Sequence, residues 1–251
     1  MNIHHLQSLI AAIITLTLAL FVYLKNKTNP LNRTFTLLLL CLSFWNIDVF
    51  GIRSAPNADY AELWGKIFRP GLLFVPAISL HFVIYFIGLK PSQKGIKWLL
   101  IIAYTCSGFF TAVNWTPYFT GDAAKYSWGY SVQTGPLYLY FMGMFFIFMG
   151  ISFGLLIRNY FKVDRYQQQR IKYFLLALIV SYFLGSLGFL PMLGFEVYPF
   201  GNIALTIGFF IVAYSVAQHR LMDVSLFMAK GLGYFLSIVI LAIPSFFIIL
   251  F

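Results

Sequence analysis

Runs of about 20 apolar residues, repeated along the chain with short polar connections between them, leave few folds open. They occupy residues 6–24, 34–51, 63–88, 98–115, 135–157, 173–190, 201–217 and 231–251. A hydrocarbon layer roughly 30 Å thick is crossed by about 20 helical residues. Inside it every backbone N–H and C=O must be paired, which leaves only helices or closed barrels. Barrel strands would alternate apolar and polar residues over about 10 positions, whereas these runs are continuous. The chain is therefore read as an all-α, polytopic transmembrane helical bundle. Its 61% hydrophobic and 10% charged residues, with a mean hydropathy of +0.84, exclude a water-soluble domain of this length. Residues 1–7 carry no Lys or Arg, and no small-residue cleavage site follows the first run, so that run is an uncleaved span and not a signal peptide.

Orientation follows from the cations, because Lys and Arg are retained on the cytoplasmic side. Lys25, Lys27 and Arg33, then Lys90, Lys94 and Lys97, then Arg158, Lys162, Arg165, Arg170 and Lys172, and finally Arg220 and Lys230 fall on one side. Only Arg53, Lys66, Arg69 and Lys125 fall on the other. Thirteen of 17 cations thus mark the cytoplasmic face and put the N-terminus outside. The net charge of +10 is a product of this topology. The cations form no continuous stripe, so nucleic acid is not an expected partner. The segment from Arg158 to Lys172, basic and polar and containing Tyr166-Gln-Gln-Gln169, reads as an anchor against anionic lipid or as a surface for a cytoplasmic domain. The setting expected is the inner (plasma) membrane.

Catalytic patterns are weak. Gly150-Ile-Ser-Phe-Gly154 matches Gly-x-Ser-x-Gly, but the hydrolase motif needs a strained strand-to-helix turn. Here it sits inside an apolar span, where small residues permit close helix contact. Phosphate loops, paired catalytic carboxylates and His-Glu-x-x-His are absent from the sequence. Cys41 and Cys106 lie within spans and read as small core residues, and the His4-His5 pair lacks partners for a metal. No cofactor and no metal are expected.

Asp48 is more informative. It lies a few residues inside the outer end of an apolar span, where an ionisable group is costly unless paired. Lys66 and Arg69 enter the next span from the same side at comparable depth, given a rise of about 1.5 Å per residue. Two readings stand: a structural clamp between the second and third spans, or the polar floor of an outward-facing ligand pocket. The longest outer connection, 116–134, carries Tyr118, Tyr126, Trp128 and Tyr130 after Asn114-Trp115. These aromatics form an interfacial belt, or they wall a ligand site as its lid. On the second reading the ligand-binding set is Asp48, Arg69, Asn114, Trp115, Trp128 and Tyr130.

Several features resemble, in their order and spacing, the N-terminal seven-transmembrane sensor region of bacterial histidine kinases. They are Asn32 with Phe35, Trp45, Leu63-Trp64, Pro76 with Phe82, Gly135-Pro-Leu-Tyr138, Arg165-Tyr-Gln-Gln-Gln-Arg170, Pro199 with Gly201, Ala213-Tyr-Ser-Val and His219-Arg-Leu-Met-Asp223. The resemblance implies a seven-helix sensor region over 1–224, followed by a linker and an eighth span over 225–251. It also implies sensing of an extracytoplasmic or membrane-borne stimulus, an unknown small ligand among the candidates. Arg220 and Asp223 would relay the signal to a cytoplasmic kinase or cyclase module in cis or in trans, in a homodimer set among membrane lipids. Neither a phosphoacceptor-His segment nor ATP-binding Gly boxes follow Asp223, so this chain is not itself expected to be an enzyme. The last apolar run reaches Phe251 with no polar tail, and the chain is read as the front part of a longer protein. The rival class is a small-molecule membrane transporter, for which Pro76, Pro191 and Gly185 to Gly188 would mark helix breaks.

Overall fold

A computed structural model of the protein describes residues 3–195. The predicted spans at 201–217 and 231–251, together with Glu196, Arg220 and Asp223, lie outside the described residues, as do the side chains of His4 and His5.

Six helical segments long and apolar enough to cross a membrane are present among the described residues. Helix α1 (Ile3–Lys25) is followed by α2 (Pro30–Ser54). Asn29 caps α2 by accepting from Leu31 N at 2.9 Å, and Pro30 supplies a preset φ at its first turn. Helix α3 (Ala58–Phe68) is capped by Asn57, which accepts from Tyr60 N at 3.0 Å. It runs into α4 (Pro70–Phe86) through Arg69, and the two make one span of 29 residues, Ala58–Phe86. Next come α5 (Lys94–Val113), a pair of strands, α6 (Leu137–Tyr160) and α7 (Arg165–Leu178), which Asp164 caps at Gln167 N. The α7 span continues to Leu193 in altered form: a π-helical turn over Ile179–Leu184, then 3-10 turns over Ser186–Phe189 and Pro191–Leu193. These departures coincide with Gly185, Gly188 and Pro191, residues that weaken or cannot complete the α-helical ladder.

Helices α2 and α4 form the centre. They cross so closely at Gly71 that a Cβ there would meet Phe44 Cβ at 2.5 Å and the Cys41 carbonyl at 2.7 Å. Trp64 Nε1 donates to the Ile47 carbonyl at 2.9 Å, tying α3 to α2. The core is aliphatic and aromatic: Leu39, Leu72, Leu80 and Ile84 are fully buried beside Phe119, Tyr138, Phe141 and Phe145. Leu16, Ile102, Phe109, Ile147 and Phe183 face outward, as expected where the surroundings are acyl chains instead of water.

The outer connection is an ordered β-hairpin, not an irregular loop. Strand β1 (Thr120–Tyr126) pairs antiparallel with β2 (Gly129–Thr134), with Tyr126 opposite Gly129, so the turn is only Ser127 and Trp128. The all-α architecture therefore holds for the described spans, and two strands are added outside them. Gly129 adopts φ +126°, and a Cβ there would lie 2.6 Å from the Arg53 carbonyl. The hairpin thus seats directly on the end of α2. Ala123 N donates to Glu62 Oε1 at 3.1 Å, attaching β1 to α3. Gln133 Nε2 donates to the Pro191 carbonyl at 3.2 Å, and Thr134 Oγ1 donates to the Met192 carbonyl at 3.1 Å. One small hairpin therefore joins the outer ends of α2, α3 and the α7 span.

Candidate functional site

The site begins with a proline. Pro70 has no N–H, so the Lys66 carbonyl one turn earlier lacks its helical donor. Asn114, at the outer end of α5, supplies the replacement: its Nδ2 donates to Lys66 O at 2.9 Å. Its Oδ1 accepts from the Thr120 hydroxyl at 2.9 Å, and that hydroxyl in turn accepts from Arg69 Nη1 at 3.2 Å. A chain of three bonds thus runs from the α3–α4 junction through α5 and the hairpin to one guanidinium nitrogen.

The other side of Arg69 faces Asp48. Arg69 Nε and Asp48 Oδ2 are 3.9 Å apart, and the two residues are 0% and 2% exposed. That separation permits Coulomb attraction but is too long for a hydrogen bond. Asp48 Oδ1, Arg69 Nε and Arg69 Nη2 have no hydrogen-bond partner among the described residues. Both residues line a cavity of about 50 Å³ at the hairpin end of the bundle. Trp45, Val49 and Leu72 contribute from the helices, Trp128 and Tyr130 from the hairpin, and Phe189 and Met192 from the α7 span. Arg53 also reaches the cavity, with its guanidinium over the Trp128 ring, 5.6 Å from the centroid. Trp128 itself stacks on Tyr126 at 4.9 Å.

Of the residues singled out from sequence, Asp48, Arg69, Trp128 and Tyr130 are brought together around this cavity. Asn114 stands one layer behind it and reaches it only through Thr120 and Arg69. Trp115 is not brought to it and lies 56% exposed on the outer surface. Of the two cations considered as partners for Asp48, Arg69 makes the ion pair, while Lys66 contributes its carbonyl. Arg220 and Asp223 lie outside the described residues. Sequence reading missed Arg53, which looked like an ordinary outer-face cation, as well as Trp45 and the Phe189–Met192 wall. The one available signal was Trp45 three residues before Asp48, on the same helix face.

Among the described residues the Gly-x-Ser-x-Gly segment has no catalytic geometry. Ser152 is buried in mid-helix and donates to the Phe148 carbonyl at 2.8 Å, while His81 Nδ1 is bonded to Tyr104 OH at 2.9 Å.

No curated protein matches the chain. A protein family does: residues 7–225 match the family described as the N-terminal 7TM region of histidine kinase, whose members supply the membrane-embedded sensor region and not the catalytic part. A multi-pass helical bundle matched over all but the ends of its length thus belongs to the N-terminal 7TM region family of histidine kinases.

Proposed function

We propose that the chain is the sensing module of a signal-transducing kinase system. It accepts an extracytoplasmic or membrane-borne stimulus in the Asp48–Arg69 cavity and passes a conformational change to a cytoplasmic output module, a kinase or a cyclase, in cis or in trans. The observation that carries this reading is the double attachment of β2. Tyr130, Ser131 and Val132 line the cavity, and the next two residues, Gln133 and Thr134, hydrogen-bond the carbonyls of Pro191 and Met192. A ligand that moves the hairpin relative to Arg69 therefore also moves the outer end of the α7 span. That span is the one described helix whose outer half is not α-helical, and π and 3-10 turns are places where a helix changes register at low cost. Signalling requires that the stimulus bind two bundle states unequally, since equal binding shifts nothing. Beyond the described residues the path would run through the seventh span to Arg220 and Asp223. A homodimer in the bacterial inner membrane is the setting the family implies.

The test is to fuse the chain in frame to a histidine-kinase output domain and to link the hairpin to the α7 span through Thr134→Cys with Met192→Cys. Autophosphorylation that differs between the oxidised and reduced forms is the expected result. Identical output in both forms, with the disulfide verified, overturns the relay.

The interrupted helix over Ile179–Leu193, with one end at the cavity, also fits the broken helices of transporters. Solute flux in proteoliposomes separates that reading, because a sensor binds without net transport.

A further inference from the structure

The Asp48–Arg69 pair is buried as an ion pair yet left open. Two charges removed from water are stable only when their remaining donors and acceptors are also satisfied. Arg69 Nη1 is satisfied by Thr120. Arg69 Nε, Arg69 Nη2 and Asp48 Oδ1 are not satisfied among the described residues, and both side chains line the same cavity of about 50 Å³. What is missing is one acceptor able to take guanidinium N–H bonds and one donor able to reach a carboxylate, a few ångströms apart. Asp48, Arg69 and Arg53 together give the cavity one net positive charge, and a ligand with no net charge leaves that balance unchanged while serving both members of the pair. A lone anion would leave Asp48 Oδ1 unserved, and a lone cation would face two guanidinium groups. Trp45, one helical turn before Asp48, offers an aromatic wall of the kind that attracts an ammonium group, while the Trp128 and Tyr130 rings already carry the Arg53 guanidinium and the Lys125 ammonium. A cavity of this size holds a few waters, so the occupant is compact.

We propose that the Asp48–Arg69 cavity binds a small zwitterion of the amino-acid class, its carboxylate on Arg69 and its ammonium on Asp48. This rests on the reading of the cavity as the stimulus site. A neutral amide presents the same acceptor and donor without charge, and it is the natural comparison.

The chain in lipid nanodiscs is titrated with alanine, propionate, ethylamine and propionamide, followed by calorimetry and by the fluorescence of Trp45 and Trp128. Alanine is expected to bind saturably and roughly tenfold or more tighter than either single-charge analogue, because each analogue leaves the open polar atoms of one member of the pair unserved. Asp48→Asn is expected to remove the preference for alanine over propionate. Val49→Phe, which leaves both charges in place and fills the cavity, is expected to abolish binding. Equal affinities for alanine and propionate, tighter binding of propionamide, or no saturable binding at all overturn the assignment. The disulfide test of the relay uses no ligand. A change in kinase output on oxidation combined with no alanine binding therefore discards the zwitterion and keeps the sensor.

Discussion

The side chain of Asn114 donates to the backbone carbonyl of Lys66 at 2.9 Å, in the place where Pro70 leaves that carbonyl without a helical N–H. A residue at the end of α5 thus repairs a break in the α3–α4 span, and its other end holds Thr120 against Arg69. Asn114→Ala is expected to destabilise the fold by about 1–3 kcal/mol, the cost of orphaning a buried polar group. In a Pro70→Ala background the backbone regains an N–H at that position to serve the Lys66 carbonyl, so the same substitution is expected to cost less. A double-mutant cycle on thermal unfolding in detergent measures the difference, and strict additivity would show that the two residues are uncoupled.

Removing one partner of the buried ion pair leaves the other charge stranded. Asp48→Ala is expected to cost about 3–5 kcal/mol, and Asp48→Asn combined with Arg69→Gln is expected to cost less than the sum of its parts. Unfolding midpoints of these variants and the two single substitutions, each against the parent chain, decide it.

Gly129 is held at φ +126° on top of the Arg53 carbonyl. Gly129→Ala meets both a strained backbone and a contact at 2.6 Å, so the hairpin is expected to lift from α2. Faster proteolysis at Lys125 and a red shift in the emission of Trp128, which is buried in the parent chain, report that release. The helical spans should keep their circular dichroism.

Glycines in this bundle are unequal. Gly71 sits where α2 and α4 nearly touch, whereas nothing lies within 4 Å of a Cβ built at Gly143. Gly71→Ala is expected to cost about 1–3 kcal/mol through overpacking, while Gly143→Ala is expected to be near neutral. The pair serves as its own control in one melting experiment.

The charge-derived orientation is checked by labelling. Cys41 and Cys106 are free, so replacing both gives a background without thiols. In it Lys125→Cys is expected to react with an impermeant maleimide on intact cells, and Lys162→Cys only after permeabilisation. The reverse pattern would invert the bundle.

Legibility from sequence followed how strongly each feature was imposed. The spans were readable because lipid tolerates almost nothing but long apolar helices. Asp48 was readable because a carboxylate in such a span needs a partner, and the geometry chose Arg69 over Lys66. The hairpin was not readable: 120–134 offers Tyr, Val and Thr at strand positions, but its pairing depends on docking to Arg53, Glu62 and Pro191, which are far away in sequence. Asn114 was noticed for its place beside the aromatic loop, while the hydrogen bond it makes to the Lys66 carbonyl follows from Pro70, 44 residues earlier. Trp115, its neighbour, carried the same compositional signal and stands outside the site.

The hairpin restrains the outer ends of α2, α3 and the α7 span together. A rod clamped near one end amplifies small rotations at the other. The Arg165–Leu193 span has 29 residues and is about 40 Å long at roughly 1.5 Å per residue. By the same arithmetic a tilt of about 5° at the clamp carries the Arg165 end through roughly 4 Å, most of the rise of one helical turn. On the proposed sensor reading, a displacement too small to reshape the cavity would arrive at the cytoplasmic face as a change of neighbours.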